Sequence, residues 1–257
     1  STLVLYIFIP LFIISIISFI NQSPSSIASF STAQPFNNQL GILIASSLVG
    51  GLFISIIPAI LIASSHFLLW EKKKAKGGPG LVEGIAVGIA VAGIFALVNS
   101  FQPSLSPVWP SLSSAASRFP FFEVLSNIGS FLTSLGFMTF MVLFISEKTK
   151  LWTANKVLFS ILFIFLGLII TGTNNITGIG PWVFSGIFVG LVFRWLYISI
   201  LRYKPDLMIF IISTLTILNL LYEILIPSFP GAALGSAIMI TLIIVFNYCW
   251  VKFYSTS

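Results

Sequence analysis

Charge is what this sequence has least of. Asp, Glu, Lys and Arg together make up 7% of its 257 residues, where soluble domains carry roughly 25%. Twelve basic and six acidic side chains cannot cover a globule of this size in water, so a soluble domain is excluded. Disorder is excluded as well, since it goes with few apolar residues and high charge. Cysteine is nearly absent. Cys249 stands alone, which rules out a disulfide scaffold. Histidine is as scarce, and the pairing of His66 with one thiol excludes every multi-His or multi-Cys metal site. There is no Gly-rich phosphate loop either: Gly77-Gly78-Pro79-Gly80 follows a lysine cluster, and its proline argues for a turn.

What the sequence has in quantity is apolar length. Hydrophobic residues reach 57%, 26 of them Phe, and the mean hydropathy is +1.09. A membrane-crossing helix needs about 20 mainly apolar residues. Segments of that kind run through Thr2–Ile20, Leu40–Ser64, Leu81–Asn99, Val124–Ile145, Val157–Thr171, Pro181–Ile200, Leu207–Ile224 and Ala232–Val251. The runs show no period-2 alternation, and lipid leaves backbone amides without partners, so helices rather than a barrel are implied. The expected fold is therefore all-α, a polytopic transmembrane helix bundle of about eight spans. The first span is longer than a signal-peptide core and lacks a basic flank, so it reads as a retained helix.

Basic residues orient the bundle. With the Lys72-Lys73-Lys74/Lys76 loop in the cytoplasm, the same side receives Lys148, Lys150, Lys156, Arg194, Arg202, Lys204 and Lys252. Arg118 alone falls outside. Both termini are then cytoplasmic, and the expected location is the cytoplasmic (inner) membrane of a bacterium. The net charge of +6 belongs to anionic lipid headgroups rather than to nucleic acid, because it sits in short juxtamembrane loops. On this reading residues 1–80 hold two spans with an outer and a basic loop, and 81–257 form a six-span bundle.

Two outer loops are long. Asn21–Gln39 carries no charge, and Ser100–Phe122 holds four prolines and Trp109, which suits an ordered, non-helical cap at headgroup level. Either the cap seals the bundle, or its aromatic face docks a partner. Asn21-Gln22-Ser23 and Asn175-Ile176-Thr177 match a glycosylation pattern that is common by chance.

Polar residues inside spans are functional candidates by default. Glu83 and Arg194 lie at similar depth near the cytoplasmic end, either as a pair tying two helices or snorkelling separately. Glu123 and Glu223 lie near the outer ends, with Arg118 the outer cation available to them. Asn99, Asn127, Asn219 and Asn247 are strong hydrogen-bonders; such amides more often join helices than bind a substrate. The Gly84/Gly88 and Gly186/Gly190 spacings permit close helix approach, within the chain or between copies. No carboxylate lies at a span midplane, which weighs against proton-coupled transport. His66 is the one side chain offering an axial nitrogen to a haem or pigment; beside Trp70 its ordinary role is interfacial. No cofactor is expected beyond bound lipid.

Ser126-Asn127-Ile128 leads through Phe144-Ile145-Ser146-Glu147-Lys148 to a basic turn, and a helix ending Thr171-Gly172-Thr173-Asn174-Asn175 follows. A Gly-rich helix then runs from Ser185-Gly186-Ile187 to Arg202-Tyr203-Lys204, with Asn219 beyond it. This layout, over Leu81–Val251, resembles the membrane core of the CAAX-protease and bacteriocin-processing family of intramembrane proteases. The resemblance implies that fold and a membrane-embedded hydrolytic site. The sequence departs from the family at each catalytic position. One glutamate, Glu147, stands where two are expected, no arginine follows it, and no histidine ends the next helix. Leu215 occupies the place of the last histidine, four residues before Asn219. Activating water needs a carboxylate base with histidines beside it, so the resemblance implies a non-catalytic relative or only the accessory membrane portion of a longer protease.

Three functions compete. The first is a non-catalytic integral subunit or scaffold that holds other membrane proteins, supported by the missing chemistry and the aromatic outer loops. The second is a permease-like carrier of a small neutral or hydrophobic solute, with Asn99, Asn127 and Asn219 along its route. The third is a hydrolase using Glu147 or Glu123 alone, which the lack of histidine disfavours.

Overall fold

The computed structural model describes residues 2–73, 80–105, 120–150, 152–171, 179–227 and 231–256; side chains are described over 4–65, 80–97, 127–150, 152–171, 179–180, 182–227 and 231–252. Among the described residues there are eight helices and no strand. They are α1 (Thr2–Ala28), α2 (Phe36–Lys73), α3 (Leu81–Leu105), α4 (Pro120–Lys148), α5 (Lys156–Thr171), α6 (Ile179–Leu196), α7 (Leu207–Leu225) and α8 (Ala232–Thr256). Each coincides with one of the eight apolar runs. Six are long and apolar enough to cross a membrane, namely α1, α2, α4, α6, α7 and α8. The other two hold shorter apolar helices, Leu81–Leu97 in α3 and Lys156–Thr171 in α5. The protein is an integral-membrane helix bundle.

Hydropathy located the helices but not their ends. The expected loop Asn21–Gln39 is largely helical, because α1 runs on to Ala28 and only Ser29–Pro35 separates it from α2. Ser23 and Ser25 return their hydroxyl protons to the carbonyls of Ile20 and Gln22, both at 2.8 Å, so polar residues continue the helix beyond the apolar stretch. Gln39 closes the short turn, its amide accepting from Ser31 N and donating to the carbonyls of Ser31 and Gln34 at 2.8–3.0 Å. Asn21 is 2% exposed on α1, which removes it as a glycosylation acceptor. Asn175 lies outside the described residues. The expected non-helical cap is likewise helical at both ends, with α3 reaching Leu105 and α4 beginning at Pro120, where a proline suits the first helical turn. Residues 106–119 lie outside the described residues.

Two compact units are present, each drawing on residues from both sides of Gly80. Unit 1 comprises residues 1–67, 111–137 and 216–257; unit 2 comprises 68–110 and 138–215.

In unit 2, glycines set the helix spacing. A Cβ on Gly167 would lie 2.1 Å from the Gly186 carbonyl oxygen and 2.4 Å from Gly190 N, and one on Gly190 would lie 2.5 Å from the Phe163 carbonyl oxygen. Thus α5 and α6 meet backbone to backbone, and Trp182 Nε1 donates to the Leu168 carbonyl at 3.1 Å. Gly84 and Gly88 make room for side chains of α7: a Cβ on Gly84 would lie 2.5 Å from Phe210 Cβ, and one on Gly88 2.7 Å from Thr214 Cβ. Both Gly-x-x-x-Gly spacings are used inside the chain. The first turns of α7, Leu207 through Ile212, are at most 6% exposed on every side and form the core of this unit.

Beyond α6 the helix widens into a π-helical turn, Tyr197–Leu201, where Arg202 N bonds the Tyr197 carbonyl. Tyr197 is fully buried against Trp152 and Phe163, with ring centroids 5.6 and 5.5 Å away. Trp152 comes from the α4–α5 connector, in which Lys150, Trp152 and Asn155 all adopt positive φ (47°, 71° and 52°). A bulky residue in that region is strained. Here Thr149 holds it: its Oγ1 accepts from Trp152 N at 3.0 Å and lies 3.3 Å from the Tyr197 hydroxyl.

Replacing Gly167 with alanine is expected to lower the thermal stability of the detergent-extracted protein severely, because the clash is with backbone and overpacking alone costs about 1–3 kcal/mol. Gly93→Ala, with nothing within 4 Å, is the matched control and leaves the melting temperature unchanged. Fluorescence-detected size exclusion after a heat step compares the two; equal melting would contradict the backbone contact.

Candidate functional site

Two of the intramembrane polar candidates, Asn127 and Asn219, converge in unit 1 with the outer-end candidate Glu223. Asn127, Ser130 and Ser134 stand at i, i+3 and i+7 on α4, and Thr216, Asn219 and Glu223 repeat that spacing on α7. Such spacing places each trio on one helix face. The two faces meet around a cavity of about 290 Å³, walled also by Phe131 and Leu220. Along α4 the polar face runs from Asn127 to Ser134, about 10 Å. Ser130 and Ser134 also line a second cavity of about 570 Å³, formed with Ser15, Ser18 and Gln22 of α1 and Ser47 of α2.

Hydrogen bonding separates the groups with free capacity from those without. Ser130 donates to the Asn127 carbonyl at 2.9 Å, Ser15 to Phe12 at 2.8 Å and Ser47 to Leu43 at 2.7 Å. Their protons are thereby committed to their own helices. Glu223 Oε2 accepts from Ser236 of α8 at 3.0 Å, and Ser236 is fully buried. Among the described residues Glu223 makes no ion pair, and the side-chain amides of Asn127 and Asn219 make no hydrogen bond.

The remaining candidates fall elsewhere. Glu83 is bound by Lys204 rather than Arg194, at 2.5 Å, with the two side chains 56% and 52% exposed. Arg194 instead lies over the Trp152 ring, 5.9 Å from its centroid. Asn247 spends its amide on its own helix, donating to the Ile243 carbonyl at 2.9 Å. Glu147, at the end of α4, is exposed. His66, Asn99 and Glu123 sit on α2, α3 and α4 with side chains outside the described residues, and Arg118 lies outside them altogether. Among the described residues no group of three His, Cys, Asp or Glu side chains is placed to hold a metal.

Two participants escaped the sequence. Ser236 reads as one more small residue in an apolar run, and only the approach of α8 to α7 gives it a carboxylate to bind. Lys204 sits in a loop, where nothing in its local pattern points to Glu83. Asp206, just before α7, also takes on a property of the fold: burial pushes its carboxyl above the usual carboxylate range, with Glu83 adding to the rise and Lys204 opposing it.

Compared with protein-family models, with curated proteins and with solved structures, the chain matches none.

The raised Asp206 carboxyl predicts a pH dependence. The folded state holds that proton more tightly than the unfolded one, so its stabilising effect is complete below the ordinary carboxylate value of 3.8. It is lost as pH rises through the raised value. Asp206→Asn, which keeps a good helix-capping side chain, is therefore expected to melt higher than the parent at pH 7, by about 1–3 °C. The gain should vanish as the pH is lowered toward 3.8. Differential scanning fluorimetry across pH checks this, and a gain that does not depend on pH would contradict it.

Proposed function

We propose that the protein is a membrane carrier that takes a small polar solute into the cavity between α4 and α7. The observation that carries this reading is the pairing of two unsatisfied amides, Asn127 and Asn219, with Glu223 on facing helices of an apolar bundle. A polar group inside hydrocarbon is costly unless it finds a partner. Amides that only joined helices would be bonded across the contact, as Trp182 is to Leu168. Left open around a cavity, they serve a molecule that enters it. In the orientation read from the basic residues, Glu223 and the start of α4 fall toward the outer face. The sequence lacks the paired glutamates and the helix-end histidines of the family it resembles, which favours binding and passage over hydrolysis.

A second reading, an integral subunit that packs against another membrane protein, has its own support in α2. Only 11% of its span is buried, against 50% for α7, and Gly41 and Gly50 have nothing within 4 Å of a Cβ. Small residues on an open helix face favour helix–helix contact in lipid. Native mass spectrometry after mild-detergent extraction is expected to show this chain alone or with copies of itself if it works as a carrier. A defined assembly with other proteins would establish the subunit role.

Water access tests the carrier directly. In a Cys249→Ser background, Ser134→Cys is expected to react with a membrane-impermeant thiol reagent in intact membranes. Ile244→Cys, on an exposed apolar face of α8, reacts only with a lipid-soluble maleimide. Ser134→Cys that resists the impermeant reagent from both sides would overturn the reading.

A further inference from the structure

We propose that the α4–α7 cavity selects a small primary ammonium, with Glu223 as its counter-charge and Phe131 as its aromatic wall. This ligand class presumes the solute site proposed above. Charge is the first reason. Glu223 is the acidic side chain lining the cavity, and Lys252, the one described basic residue of unit 1, lies sixteen residues along α8 from Ser236, about 24 Å away.

The hydrogen-bond balance points the same way. Ser130 has given its proton to the Asn127 carbonyl and presents lone pairs alone. Ser236 gives its proton to Glu223 Oε2, leaving Oε1 unoccupied among the described residues. The amides of Asn127 and Asn219 each add one carbonyl oxygen and one NH2 group, so they can bond a ligand's donors or its acceptors. The groups that accept alone, Ser130 and Glu223 Oε1, suit a ligand with N–H groups and disfavour a carboxylate or phosphate.

Shape supplies the third reason. Phe131 is 5% exposed and held edge to face against Phe246, with centroids 6.0 Å apart at 90°, so it is a fixed wall of the cavity. An aromatic wall in a cavity that also holds a carboxylate is favourable to an organic cation. Leu220 and Phe131 offer apolar surface for its carbon atoms. The volume of about 290 Å³ is that of roughly ten waters, more than a bare alkali ion fills and suited to a small organic molecule.

The full chain in lipid nanodiscs, titrated with n-butylammonium chloride, 1-butanol and sodium chloride, tests the proposal by thermal shift and calorimetry. Only n-butylammonium is expected to bind saturably. Glu223→Gln should weaken it about tenfold or more, and Asn219→Asp, which adds a second carboxylate at an exposed position, should tighten it. A misfolded variant cannot produce that gain. Equal binding of 1-butanol, or unchanged affinity in Glu223→Gln, overturns the cation preference while leaving a solute site standing. A shift reproduced by sodium chloride alone overturns it in favour of an inorganic ion. Binding of none of the three, with Ser134→Cys unlabelled, removes the ligand class and the solute site together.

Discussion

Hydrocarbon offers a polar group nothing to bond, and most of this structure follows from that single constraint. Helices satisfy the backbone. Hydroxyls are satisfied by turning back on the helix that carries them: Ser55 to Gly51 at 2.6 Å, Thr214 to Phe210 at 2.8 Å, Thr171 to Gly167 at 2.9 Å. A chain rich in serine and threonine is thus chemically quiet along most of its spans. The same habit lets α1 continue through its serines to Ala28. Groups that this solution does not reach, the side-chain amides and carboxylates, stand out sharply as a result. Asn247 finds its own helix and Glu83 finds Lys204. Asn127 and Asn219 find neither, and they face one cavity.

Lipid also removes the usual reason for helices to associate, because tails are as apolar as leucine. Close approach has to substitute for burial. At α5 the substitution is visible: a helix of 16 residues, short for a span, is held where Gly167, Gly186 and Gly190 bring two backbones together. The tryptophan bond to Leu168 pins that contact at one level. Further along, Thr149 secures the left-handed connector and positions Trp152 against Tyr197. Strain at Trp152 is tolerated because its ring is buried against Phe163 and Tyr197.

How much of this was legible in the sequence follows from the same physics. Helix number, type and approximate position were readable, since apolar length is a local property. The glycine spacings were readable as contacts, though not as contacts within the chain. Helix ends were not, because hydropathy reports the membrane and says nothing of a polar helix continuing past it, as α1 does to Ala28. Partners were the least legible. Depth alone suggested Arg194 for Glu83, yet a lysine ten residues on reaches it and the arginine takes a tryptophan face. Asn127, Asn219 and Glu223 were each visible as polar residues in apolar runs. That they share a cavity depends on the angular register of α4 against α7, which spacing within either helix cannot supply.

Two carboxylates show how one constraint yields different outcomes. Glu83 and Lys204 are both more than half exposed, so water solvates each partner and the pair contributes at most about 1 kcal/mol. Losing that pair would leave both charges hydrated. Glu223 is half-buried beside an apolar ring, with a neutral serine as its bonded partner. Its charge is matched by nothing the described chain supplies, and the strength of an electrostatic contact grows as water is excluded. A cation arriving there gains more than the same cation would gain at Glu83.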